Sequence, residues 1–441
     1  MSEQKMKRRD KITLGLMVAM SFFLMCDLFI TPALVTDLSI EYTVPKEALG
    51  WVGSAFILVG AFISIYFGYM ADKISRKHLL VATVLIGEIP CLLTGIHFFT
   101  STFTGFLVLR TLTGIGIGGV FPITFSLVSD YFSDKHRAKA SAFIDIAWGL
   151  GAMVGPVLAG LALETNYGWR LAFIIAAVPN FPLALLFAVY ATNPPRGGTE
   201  SALAKVLNEG AEYVHRIKLS DFRIVFKNRT NLLLFLQGIP GCIPWGLLPF
   251  WIITFFREVE SLTHGNATMV WELFGIGSAI GAISWALLGD WLFKKDPRYL
   301  PLFCTIGVFL GTIPCFIVMN VAVTSLGFHF VMAIMGGILI SVPASNNKAM
   351  LMNINRPEHR GSVFAVFNIT DSLGKGVGPA VGSILLAVTG SYHFMMNFAI
   401  SSWLLCGLIF IGVIFTITKD RDSLLQLMEK RAEALTKSKT A

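Results

Sequence analysis

With 441 residues, 54% of them hydrophobic and only 14% charged, the chain suits a bilayer and not water. A net charge of +8 could suit nucleic acid, but the cations are spread asymmetrically and do not form a patch. With the N-terminus inside, 29 of the 35 Lys and Arg fall on the cytoplasmic side. Three (Lys46, Arg170, Arg257) lie in outer loops and three (Arg110, Lys348, Lys375) within apolar runs. This positive-inside pattern argues against nucleic acid and places both termini in the cytoplasm.

Twelve runs approach or exceed the ~20 apolar residues that a spanning helix needs. They are 12–36, 48–70, 78–99, 103–129, 138–163, 170–192, 230–256, 267–293, 300–320, 325–350, 361–389 and 393–418. The runs are too long and too continuously apolar for the alternating strands of a barrel. The basic start Lys5–Lys11 leads into a run too long for the apolar core of a cleavable signal. An all-α membrane protein with twelve transmembrane helices is expected.

The first run carries Asp27 in Leu24-Met-Cys-Asp27-Leu-Phe-Ile-Thr31-Pro32. A carboxyl at that depth is costly, so it either faces a cavity as a proton-coupling and substrate group or is paired inside the bundle. The second run ends in Gly68-Tyr-Met-Ala-Asp72-Lys-Ile-Ser-Arg76-Lys77. Here Gly68 would let helices approach closely, and the charged hinge would anchor topology. Glu88, beside Pro90 in the third run, is either a proton site or a group hydrogen-bonded to a neighbouring helix.

The fourth run reads Arg110-Thr-Leu-Thr-Gly114-Ile-Gly116-Ile-Gly118-Gly119-Val-Phe-Pro122. Glycines at two-residue steps open several faces to close packing. Arg110 keeps its charge, so within a membrane it must be paired or hydrated. Asp130 opens the loop to the fifth run, which holds Gly149, Gly151, Gly155-Pro156 and Gly160. Residues 193–229 begin with the helix stopper Asn193-Pro-Pro195-Arg196-Gly197-Gly198. They read as a cytoplasmic linker with an amphipathic surface helix near 200–217.

In the seventh run, Gly238-Ile-Pro240-Gly241-Cys-Ile-Pro244-Trp245-Gly246 predicts a broken or bent helix along a cavity, with Trp245 as a substrate contact. The eighth run ends in Gly289-Asp290 and Lys294-Lys295, a degraded copy of the Gly68–Lys77 motif. The tenth ends in Ser345-Asn346-Asn347-Lys348. Asn346 is a candidate substrate contact, and Lys348 either snorkels or gates. Asp371 and Lys375 are four apart on the eleventh helix, where they form either a self-neutralising pair or a second substrate site.

His136-Arg137 recurs as His359-Arg360, Gly151 as Gly374, and Gly155-Pro156 as Gly378-Pro379, each at an offset of 223. This duplication equates helices 5 and 11 and divides the chain into two pseudo-symmetric six-helix bundles, 1–192 and 230–418. The linker 193–229 joins them and a charged cytoplasmic tail, 419–441, follows. The six cysteines all fall within apolar runs without metal-ligand spacing. Gly-x-Ser-x-Gly, His-Glu-x-x-His and Cys-x-x-Cys are absent from the sequence, so no metal, cofactor or enzymatic chemistry is expected.

The residue 68–77 pattern, Gly-x-x-x-Asp-x-x-x-Arg-Lys, and the Arg-x-x-x-Gly-x-Gly pattern from Arg110 resemble signatures of the major facilitator superfamily. The Gly155-Pro156 element resembles that family's helix 5 motif in part, with Ala142 where an earlier glycine falls. The resemblance implies a monomeric secondary transporter working by alternating access, with the solute held at the midplane between halves. It implies a role for Arg110 in substrate or proton handling and an Asp130–Arg76 pair. It also implies gating by Gly68, Asp72, Arg76, Lys77, Asp130, Gly155 and Pro156, with Asp290, Gly378 and Pro379 in the second half.

Phe56-Ile-Leu-Val before the Gly68 motif, Asp27 with Arg110, and Pro195-Arg196-Gly197 with Glu200 resemble the spinster branch. That branch often has glutamate seven residues after the helix 4 arginine, where this chain has Ile117, so relay through that site cannot operate here. The branch resemblance implies a lysophospholipid-like solute and a proton as partners of a plasma-membrane carrier, with the short loops favouring a bacterial inner membrane. A polyspecific drug/proton antiporter, an organic-anion/proton symporter and a non-transporting sensor are the alternatives. In the carrier reading, a substrate anion displaces Asp27 from Arg110, and the released carboxyl takes up the proton.

Overall fold

The computed structural model describes residues 8–71, 73–132, 134–192, 226–356 and 360–440. Asp72, His359 and the segment expected to form the amphipathic linker helix lie outside the described residues. Among the described residues the chain forms fifteen helices and no strand. The first half contains α1 (Arg8–Ala33), α2 (Val35–Tyr42), α3 (Lys46–Ala71), α4 (Arg76–Thr94), α5 (Phe103–Tyr131), α6 (Asp134–Leu163), α7 (Arg170–Ala177) and α8 (Asn180–Tyr190). The second contains α9 (Arg229–Glu258), α10 (His264–Lys295), α11 (Tyr299–Asn320), α12 (Leu326–Ile340), α13 (Val342–Ile354), α14 (Arg360–Thr389) and α15 (Tyr392–Thr440).

Among the described residues, twelve segments are long and apolar enough to cross a membrane. The sixth is α7 with α8, broken before Pro179, and the tenth is α12 with α13, broken at Ser341. Of the two forms expected for the seventh span, broken or bent, the broken one is not there. α9 runs unbroken from Arg229 to Glu258 with Pro240, Pro244 and Pro249 inside it. A membrane helix tolerates proline where neighbours satisfy or shield the loosened backbone. At this stretch the Trp403 indole of α15 donates to the Gly241 carbonyl at 3.1 Å. The tail is helical as well, since α15 continues to Thr440.

The duplication is visible in the packing. Gly151 and Gly155 of α6 press on the α1 backbone between Phe22 and Cys26. Gly374 and Gly378 of α14 press on α9 between Ile239 and Leu247 in the same way. On α5 the alternating glycines serve two neighbours, Gly114 and Gly118 meeting α3 and Gly116 meeting Gly87 of α4. Gly68 departs from expectation, because a side chain added there would meet open space.

The halves are joined at one end and parted at the other. Around α2 a single apolar core crosses between them, including Leu49 and Val52 from one half and Leu247, Trp251 and Phe255 from the other. Toward the opposite end each half has its own core, one around Leu80, Ile123 and Phe187 and one around Leu234, Met350 and Phe410.

Candidate functional site

Asp27 of α1 and Arg110 of α5 meet in the interior of the first half, with exposures of 0% and 1%. Arg110 Nη1 donates to Asp27 Oδ1 at 2.7 Å, and Nη2 donates to the Asp27 backbone carbonyl at 3.3 Å. The guanidinium lies between the rings of Phe56 and Phe173, 4.9 and 4.8 Å from their centroids. A buried charge is tolerated only when paired and hydrogen-bonded, and this pair satisfies that condition while leaving Arg110 Nε and Asp27 Oδ2 without partners.

A cavity of about 190 Å³ opens between the halves. Arg110 lines it from one side and Lys375 of α14 from the other, with Phe29, Phe56, Trp245 and Phe250 among the apolar residues of the wall. Asp27 stands directly behind Arg110. The arrangement offers an aromatic slot with a cation on each side, which suits an anion with an apolar body.

Not every expected contact is brought here. Asn346 is 1% exposed, and its amide donates to Val342 O at 2.8 Å and Trp285 O at 3.3 Å, where it ties α13 to α10 away from the cavity. Among the described residues no ion pair joins Asp371 to Lys375. Asp371 faces the Cys242 thiol, and Lys375 is exposed to the cavity. The two charges are neighbours without direct contact, and the Lys375 ammonium is left free to face the cavity.

At the parted end, Arg76 and Asp130 form an ion pair between α4 and α5. Asp290 pairs with Lys294 on the surface at 2.5 Å, four residues along α10. Gly155 approaches Cys26 O, Gly378 approaches the α9 backbone, and the Pro379 carbonyl accepts the Trp251 indole at 3.1 Å.

Sequence reasoning missed the polar seam at the joined end. Arg257 of α9 binds Asp37 of α2 through Nη1 at 2.6 Å and Nη2 at 3.3 Å. Glu258 accepts from Lys46 of α3 at 2.7 Å and from Thr36 at 3.0 Å. Deeper in, Ser54 Oγ accepts from the Ala380 backbone N–H at 2.8 Å. All three outer-loop cations of the sequence are thus paired, since Arg170 holds Glu41 at 2.6 Å. Their scarcity beside Asp37, Glu41 and Glu258 was a signal, but it did not reveal that two of the pairs join opposite halves. Nearby, burial pushes the Tyr42 phenol up to about 12, so it stays protonated and donates to Thr100 O at 2.9 Å.

Two bundles of membrane-length helices around a shared central cavity define the class as a two-domain membrane carrier. Residues 16–379 match the family model of the Major Facilitator Superfamily, and the chain belongs to that family of transporters. It is similar to Protein spinster homolog 3 of Danio rerio, with 23% identity over 401 residues, 84% of this chain and 78% of that one. It is also similar to the Benzoate transport protein of Acinetobacter baylyi, with 30% identity over 186 residues. That match covers 41% of this chain and only 35% of the benzoate protein's length. The crystal structure of a bacterial homolog to the human lysosomal transporter spinster, inward-facing and unoccupied, has the same fold. It superposes with a TM-score of 0.79 at 18% identity, covering 94% of this chain and 99% of that chain.

Proposed function

We propose that this transporter carries a small organic anion with an apolar or aromatic body, coupled to protons through Asp27 and Arg110. The observation that carries the reading is the cavity with Arg110 on one side, Lys375 on the other and aromatic walls between. The anion engages Arg110, which can bind a carboxylate at two points, and Lys375 supplies the charge of the second half. Arg110 then holds Asp27 less strongly. A buried carboxylate deprived of its cation takes up a proton, so proton and substrate occupancy are linked.

Both termini lie in the cytoplasm by the positive-inside pattern, which makes the joined end external and this conformation inward-facing. Asp37–Arg257 and Lys46–Glu258 then latch the outside, while Arg76–Asp130 belongs to the inner gate together with Gly68, Asp72 and Lys77. Gly155-Pro156 and Gly378-Pro379 are the close-packed pivots of the rocking halves.

A lysophospholipid is the second reading, favoured by the similarity to a spinster homolog over most of the chain. Purified protein in liposomes with a trapped pH dye separates the two. The anion reading expects internal acidification or alkalinisation on adding benzoate, and weakening of that response by roughly tenfold or more in Lys375→Gln, the scale of a lost charge-assisted hydrogen bond. A response to lysophospholipid alone transfers the assignment to the second reading.

A further inference from the structure

Glu88 of α4 is a second carboxyl in the same interior, and the Asp27–Arg110 switch makes no use of it. It is 0% exposed, as is Asn180 of α8, the only side chain within hydrogen-bond reach of it among the described residues. Asn180 Nδ2 donates to Glu88 Oε1 at 2.8 Å. The remaining atoms of the two groups, Glu88 Oε2 and Asn180 Oδ1, are both buried and both without a partner. As long as Glu88 is ionised the two are acceptors facing the same problem, since neither can donate to the other. One proton on Oε2 resolves both. The acid O–H then donates to Asn180 Oδ1, closing a two-point acid–amide pair that leaves no orphan.

The charged surroundings agree. Asp27 from α1 and Arg110 from α5 are the charged groups that face Glu88. The Cys91 thiol on its own helix and the Cys26 thiol on α1 are the other titratable neighbours. Among the described residues α7 and α8 add none. Arg110 is already committed to Asp27, so an ionised Glu88 would give the buried cluster two anions for one cation. A neutral Glu88 leaves it balanced.

We propose that Glu88 is a proton-binding site of the N-terminal bundle, held as a neutral acid by Asn180. The bundle therefore carries one proton beyond any that Asp27 takes during transport. The inference deepens the proton-coupled reading, but its test needs no substrate and so fails or holds separately from it.

Infrared spectra of the purified protein in lipid at neutral pH provide that test. In Glu88→Gln, whose amide reproduces both hydrogen bonds, one protonated-acid carbonyl band is lost relative to the unsubstituted protein. In Asn180→Leu the same band persists and shifts to higher frequency, because the acid has lost its acceptor. If Glu88→Gln does not fold, the Asn180→Leu shift still decides the matter. An acid-carbonyl region unchanged in Glu88→Gln, or unshifted in Asn180→Leu, overturns the assignment.

Discussion

Arg110 shows what a single residue contributes. Its planar group makes two hydrogen bonds to one residue of α1 and lies over the rings of two phenylalanines, and a lysine ammonium can do only part of this. Arg110→Lys is expected to lower stability by about 1–3 kcal/mol, the cost of leaving a buried hydrogen-bonding group unsatisfied, and not to sustain transport. Thermal unfolding in detergent and flux in liposomes check both, and wild-type flux in the lysine variant would contradict the role given to its geometry. Asp27, Arg110 and Lys375 were legible because charge is rare and expensive inside an apolar run. Asn346 was misjudged as a substrate contact because a polar residue at a helix end looks the same in sequence whether it binds a solute or ties two helices together. Only its carbonyl partners on α13 and α10 distinguish the cases.

For the helices, glycine spacing carried more information than proline. The two-residue steps on α5 announced close packing, and Gly118 indeed sits where a side chain would come within 2.5 Å of the Gly60 Cα. Gly118→Val is expected to push α3 and α5 apart at a cost of roughly 1–3 kcal/mol, read as a lowered unfolding temperature. Gly68→Ala should leave that temperature unchanged, because its surroundings are open, and slow turnover if α3 closes on the other half during transport. Equal loss of stability in both variants would contradict this packing. The prolines of α9 do not break it, because a missing N–H weakens a helix only where nothing else supports it, and α9 is supported by α14 and α15. The real breaks, before Pro179 and at Ser341, sit in spans where the prolines near a helix start (Pro179 and Pro182, and Pro343) are fewer than in α9 and gave a weaker local signal.

For the whole molecule, the two bundles and their pseudo-symmetry followed from the 223-residue offset, which reappears as matched glycine contacts of α6 on α1 and α14 on α9. Which end is joined was not legible, since it depends on pairs formed across more than 200 residues of sequence, Asp37 with Arg257 and Lys46 with Glu258. These pairs are partly exposed, so each contributes little to stability, and in the proposed mechanism they act together to bias which end stays shut. Arg257→Asp is expected to favour the conformation open at the α2 end, and Asp37→Arg combined with Arg257→Asp to restore the original balance. Labelling rates of a cysteine placed near α2 report this, and an unchanged rate in the single variant would remove the latch from the mechanism.

The central claim, that an anion taken up at Arg110 releases Asp27 to bind a proton, is tested most directly by one trace. Internal pH is followed in proteoliposomes on adding benzoate, for the unsubstituted protein and for Asp27→Asn. The account predicts a substrate-dependent pH change that disappears in Asp27→Asn while labelled benzoate still exchanges across the membrane. A pH change of the same size in Asp27→Asn would contradict it.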